Sequence, residues 1–193
     1  MTAALKVPGD MNVEEFLDWV PGDNQMWQLV DGVPLAMAPA NRTHGAIQSA
    51  IGAAIHGHLE QQGSGCSIVT APGIRPRVRA DANYRVPDLA VTCSPYTEEE
   101  QALSDPVLVI EILSPSNQAE TWTNVWANTT IPSVREILVI QGARIGASLL
   151  RRGTDGTWPE QPLTIDSGDL ILESIGFTVP LTALYRTTRL AVG

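Results

Sequence analysis

The run Pro106-Val-Leu-Val-Ile-Glu-Ile-Leu113 constrains the fold of this chain more than any other segment. On a strand, alternate residues point to opposite faces. Val107, Val109, Glu111 and Leu113 then share one face, and Leu108, Ile110 and Ile112 the other. Apart from Glu111 both faces are apolar, which is the pattern of a central strand covered on both sides. Glu111 is then buried or lines a cleft, and a carboxylate there is costly unless something compensates its charge. A second run, Asp88-Leu-Ala-Val-Thr-Cys93, follows Pro87 and puts Asp88 on a face with Ala90 and Thr92. If the two strands are neighbours, their carboxylates converge into a site for a divalent cation with oxygen ligands. Each also has a plainer reading, Asp88 as a Pro-Asp turn residue opening a strand and Glu111 as the ion-pair partner of an arginine such as Arg135.

A chain of 193 residues is expected to form one domain over 1–193 with a sizeable core. No stretch approaches the roughly 18–20 apolar residues of a membrane helix. Residues 1–8 lack a basic segment followed by an apolar one, so no signal peptide is expected and the location reads as cytoplasmic. Cys66 and Cys93 accordingly read as buried free thiols of a reducing compartment. No Cys or His spacing suggests zinc. The net charge of −9 argues against broad, non-specific nucleic-acid affinity. It leaves room for a local basic patch. Arg75, Arg77 and Arg79 alternate and would share one face of a strand, with Arg85 close behind. They read equally as a charged, protected edge strand or as phosphate contacts.

The spacing predicts a short helix over 13–20 with Asn12 as its cap, then a hairpin over 27–37 around Asp31-Gly32. A longer helix over 44–61 follows, with Ile47, Ile51, Ile55 and Leu59 as its apolar stripe. Strands are expected over 66–70, 74–79, 88–93, 107–113, 136–140 and 147–151, with a helix over 119–129 and a last helical turn over 180–185. This order describes an α/β fold, a mixed central β-sheet flanked by helices.

Five segments in series carry a resemblance: Trp27-Gln-Leu-Val-Asp-Gly32; Met37-Ala-Pro39 with His44-Gly45; Val86-Pro-Asp-Leu-Ala-Val91; Val109-Ile-Glu-Ile-Leu-Ser-Pro-Ser116; and Ile131-Pro-Ser-Val-Arg-Glu-Ile137. Together, over about residues 10–185, they resemble the Uma-two family of restriction endonucleases, within the PD-(D/E)XK nuclease superfamily. The resemblance implies a restriction-endonuclease-like core and metal-dependent hydrolysis of DNA phosphodiesters. It implies that Asp88 and Glu111 are catalytic carboxylates holding Mg²⁺ or Mn²⁺, which lowers the pKa of an attacking water and neutralises phosphoryl charge. His44 matches a histidine of the pattern facing the cleft. A homodimer is also implied.

Two positions depart from the pattern. Gln28 stands where a glutamate is frequent, and Asn124 where a helix lysine would orient the water and stabilise negative charge. The chain's single lysine, Lys6, is remote in sequence, and an arginine such as Arg42 is a candidate substitute in space. Two functions therefore compete: an endonuclease, and an impaired nuclease fold that binds nucleic acid or a protein partner. A small-molecule hydrolase on the same scaffold is a third. Trp122 and Trp126, four apart on one helix face, read as core packing or as a platform for stacked bases.

Overall fold

The computed structural model describes residues 10–98, 100–114 and 117–191. Lys6 therefore lies outside the described residues, as do Pro115 and Ser116 of the Ser-Pro-Ser motif.

Helix α1 (Val13–Asp18) opens with a capping box, in which Asn12 accepts from the Glu15 N–H and Glu15 accepts from the Asn12 N–H. Strands β1 (Trp27–Val30) and β2 (Val33–Ala36) form a hairpin. Its two turn residues, Asp31 and Gly32, both have positive φ, the conformation that a two-residue hairpin turn demands. Helix α2 (Arg42–Gln61) starts two residues earlier than the spacing suggests, because Asn41 caps it by accepting from the His44 N–H. Its stripe of Ile47, Ile51, Ile55 and Leu59 is wholly buried.

Strands β3 (Ser67–Thr70), β4 (Leu89–Thr92), β5 (Pro106–Leu113), β6 (Glu136–Gln141), β7 (Ala147–Arg151) and β8 (Leu163–Ile165) pair in that order into one mixed sheet. Only β5 and β6 run parallel. Helix α3 (Gln118–Asn128) makes the crossover between them, as a parallel connection requires. A second hairpin, β9 (Asp169–Leu172) with β10 (Phe177–Pro180), and a one-turn helix over Leu181–Tyr185 follow.

From Leu108 onward the alternation along β5 divides the core as its sequence indicates, whereas Val107, expected on the Val109 face, packs with the Leu108 cluster. Leu108, Ile110 and Ile112 pack with the α2 stripe, the second hairpin and Tyr185. Val109 and Leu113 pack on the opposite face with Val125 of α3, Ile137, Val139 and Leu150. A third cluster of Val13, Phe16, Leu29, Tyr84 and Val86 anchors α1 and the first hairpin, with Leu29 bridged to Tyr84. Among the described residues, no helix is long and apolar enough to cross a membrane.

Two expectations are corrected. Residues 75–79 form no strand; only Ile74 makes a bridge, to Arg85, and Arg79 is in the left-handed region at φ 43. Pro76 has no N–H to give a ladder, so the pairing stops where it begins. The shared face of Arg75, Arg77 and Arg79 is thereby lost. The second correction concerns the thiols. Cys66 and Cys93 form a disulfide, and Cys93 is exposed. In the antiparallel β3–β4 ladder Ser67 faces Thr92, so the next residue outward on each strand, Cys66 and Cys93, also face each other. The disulfide removes the argument for a reducing compartment. It closes a loop with a sequence separation of 27, for which chain entropy gives a stabilisation of roughly 3–4 kcal/mol. Reduction with dithiothreitol is expected to lower the unfolding midpoint by roughly 10 °C. An unchanged midpoint would show that the bridge contributes nothing.

Candidate active site

Strands β4 and β5 pair antiparallel, with Leu89 opposite Ile110 and Ala90 opposite Val109. One step further along that register, Asp88 faces Glu111, so two residues 23 positions apart meet at the sheet end. Asp88 is fixed on every side. Its Oδ2 accepts from the Ile112 N–H at 2.6 Å, and its Oδ1 lies 2.7 Å from His44 Nε2. A carboxylate only accepts, so Nε2 carries the ring proton in this pair. One turn along α2, the Gln48 amide donates to the Asp88 carbonyl at 2.9 Å. His44 and Gln48 thus grip the side chain and the backbone of one residue from a single helix face.

Glu111 is held differently. It is 7% exposed, and its Oε1 has no hydrogen-bond partner. Burial pushes its carboxyl well above the usual carboxylate range. The charges of Asp88 and Glu120 add to the rise, while the Asp88 backbone N–H and the more distant Arg85 oppose it. The Arg135 pairing is not formed. That residue lies at the other end of β5, its N–H bonded to the Val107 carbonyl.

Beside this pair runs a chain of hydrogen bonds. Arg85 Nη1 donates to Asn124 Oδ1 at 2.7 Å, Asn124 Nδ2 to Gln28 Oε1 at 3.3 Å, and Gln28 Nε2 to Glu120 Oε1 at 2.7 Å. On the other side, Arg85 Nη2 donates to Asn83 Oδ1 at 2.7 Å, and Asn83 Nδ2 donates to Asp31 at 3.0 Å. Arg85, Asn83, Asn124 and Gln28 are all buried.

His44, Gln48, Asp88, Glu111, Glu120 and Asn124 line one cavity of about 430 Å³, and Gln28 borders it too. A larger cavity of about 850 Å³ includes Arg75 and Arg77 but none of these residues. The structure therefore brings Asp88, Glu111, His44, Asn124 and Gln28 together and leaves the three arginines elsewhere. Arg75 pairs with Glu14 and Arg79 with Asp31, and all three are exposed. Arg42, the candidate substitute cation, is exposed at the first residue of α2. Of the tryptophans, Trp122 packs against the core and Trp126 is 43% exposed, which splits the pair between its two readings.

Glu120, Gln48 and the buried placement of Arg85 escaped the sequence reading. Each carried a faint signal: Gln48 is one helical turn after His44, Glu120 one turn before Asn124, and Arg85 is a lone charge in the apolar approach to Asp88.

Among the described residues, no cluster of three or more His, Cys, Asp or Glu side chains is placed to hold a metal. The acidic set is a pair. A pair fits a hard cation such as Mg²⁺, which takes one or two carboxylates and fills its remaining positions with water or substrate oxygens. The unpartnered Glu111 Oε1 beside a second carboxylate is the kind of uncompensated charge that a cation relieves.

The crystal structure of "a putative nuclease" from Anabaena variabilis superposes with a TM-score of 0.72 at 20% identity, covering 91% of this chain and 97% of that one. The fold is restriction-endonuclease-like, as that match shows. The protein slr1290 of Synechocystis sp. is 27% identical over 181 residues, covering 91% of this chain and 92% of that protein. The family described as "Uma2: Putative restriction endonuclease" matches residues 13–182, most of the chain's length. With all five segments of the sequence inside or overlapping that span, the chain belongs to the Uma2 family.

Proposed function

We propose that this protein is a metal-dependent endonuclease that hydrolyses DNA phosphodiester bonds, with Asp88 and Glu111 as its metal-holding carboxylates. One observation carries the reading: Glu111 Oε1 is buried and unpartnered next to Asp88 at the wall of an open cavity. The Asp88 backbone N–H reaches the Glu111 carboxyl, yet Oε1 has no donor, and buried polar atoms left so are rare in a carboxylate placed for structure alone. A divalent cation bound by the pair would activate water and offset charge on the phosphoryl group.

This chain's own residues prepare that chemistry. The Ile112 N–H and His44 hold the Asp88 side chain in one orientation, and Gln48 holds its backbone. Asn124, at the wall of the cavity, has an amide that can donate to a water or a phosphate oxygen. It carries no charge, and a lost charged group of this kind costs on the order of a hundredfold to a thousandfold in rate. Turnover is therefore expected to be slow. The arginines 75, 77 and 79 belong to this reading only as contacts to a long duplex reaching beyond the cavity.

The test is nicking of supercoiled plasmid and cleavage of single-stranded DNA with Mg²⁺ or Mn²⁺, beside Glu111→Ala. Wild-type cleavage that disappears in Glu111→Ala supports the reading. Intact DNA with both metals across pH 6–9 would retire it in favour of a binding role, an assignment that the uncharged Asn124 and Gln28 favour. A homodimer, if formed, would be seen by light scattering of the same sample.

A further inference from the structure

We propose that Arg85 is the cation of this site, a positioning residue that acts on the cleft through Asn124. The inference deepens the nuclease reading and rests on it for its bearing on phosphate chemistry. Arg85 is 2% exposed, yet among the described residues no carboxylate pairs with it directly. Both guanidinium ends go to neutral amides, Asn124 and Asn83, and its buried Nε has no partner. An arginine placed for stability would be met by a carboxylate, because a buried charge is tolerated chiefly when paired. Here the negative charges that act on it make no ion pair with it. They are Asp31 beyond Asn83, Glu120 beyond Asn124 and Gln28, and Glu111, whose raised carboxyl Arg85 opposes.

The polarity of the chain follows from its ends. Guanidinium only donates and carboxylate only accepts. Arg85 therefore fixes Asn124 with Oδ1 inward, so its Nδ2 must point the other way, toward Gln28 Oε1 and the cavity that Asn124 lines. Gln28 is then obliged to turn its own Nε2 to Glu120. Arg85 thus makes Asn124 a donor at the cleft, and its charge stands one residue behind. Rotating either amide would break a bond at one end or the other.

A place for one cationic side chain has a specific consequence: it does not take a second. The experiment is a cycle of wild type, Arg85→Gln, Asn124→Lys and the double variant, read by thermal unfolding without metal and by Mn²⁺ affinity from electron paramagnetic resonance. Asn124→Lys is expected to lower the unfolding midpoint, since its ammonium meets the guanidinium. Adding Arg85→Gln is expected to restore it. Arg85→Gln alone is expected to tighten Mn²⁺ binding at least fivefold by removing a positive charge, and the double variant to return toward wild type. A structural role would instead weaken Mn²⁺ binding. If Arg85→Gln does not fold, the double variant, with its single cation, should; failure of both overturns the proposal. It is also overturned if the two substitutions act additively on the midpoint, or if Arg85→Gln leaves Mn²⁺ affinity unchanged or lower. Neither readout needs cleavage. A wild type that leaves DNA intact retires the nuclease reading alone, and if it takes up no Mn²⁺ the unfolding cycle decides.

Discussion

Glu111→Gln is expected to make the protein more stable above neutral pH and to abolish metal-dependent cleavage. Both effects come from one oxygen. Glu111 Oε1 is buried without a partner, and burial together with the Asp88 charge holds the carboxyl well above its ordinary value. The unfolded chain releases this proton near the model-peptide value of about 4.3. The folded chain keeps it to higher pH. Between the two pKa values the folded state binds more protons than the unfolded one, so stability falls as pH rises through that window. Above the raised folded value the loss is complete and constant. Glutamine has the same shape and no charge, so the variant lacks this slope. Measured in EDTA, wild type should lose stability from pH 5 upward by on the order of 1–3 kcal/mol relative to the variant. Added Mn²⁺ should recover it in wild type only, because a ligand bound to the folded state alone stabilises by mass action. Parallel stability curves for the two proteins between pH 5 and 9 would show that Glu111 is not strained, and the case for the site would lose its main support.

What could be read from the sequence divides along a physical line. The parity of β5 is local, and it placed Val109 and Ile110 in their separate cores without any partner strand being known. The four-residue stripe of α2 is local in the same sense, and so is the Asp31-Gly32 turn. Pairing between strands is not local. That Asp88 faces Glu111 follows from the β4–β5 register, and that Cys66 meets Cys93 from the β3–β4 register. No periodicity encodes either one, and the free-thiol expectation failed for that reason. The alternating arginines misled because alternation is a strand signal only where a ladder can continue, and Pro76 ends it. Gln28 and Asn124 looked like two independent losses. In three dimensions they are successive links between Arg85 and Glu120, so two departures from the family pattern are one local rearrangement.

Asp88→Ala should lose activity as the Glu111 variant does but, unlike Glu111→Gln, should also lose stability. The Asp88 oxygens are occupied, Oδ2 by the Ile112 N–H and Oδ1 by His44. Asp88→Ala would leave a main-chain donor of the central strand unpaired, a cost of about 1–3 kcal/mol. Against this stands some relief of Glu111, which no longer faces the Asp88 charge, though the Glu120 charge remains. Asp88→Asn separates the two contributions. Its amide oxygen can still accept from Ile112, and its NH₂ group then meets His44 Nε2, which must give up its proton to Nδ1 and become the acceptor. Asparagine keeps the fold and removes the charge, so its unfolding midpoint should match or exceed that of wild type while alanine's falls. Neither variant should bind Mn²⁺ as wild type does, and both should lose cleavage by on the order of a hundredfold or more. The comparison is decisive because stability and function are moved independently by one atom pair. An Asp88→Asn protein that still cleaves would mean that Asp88 only props β5 and α2, and the metal-holding role would have to be sought around Glu111 and Glu120 alone.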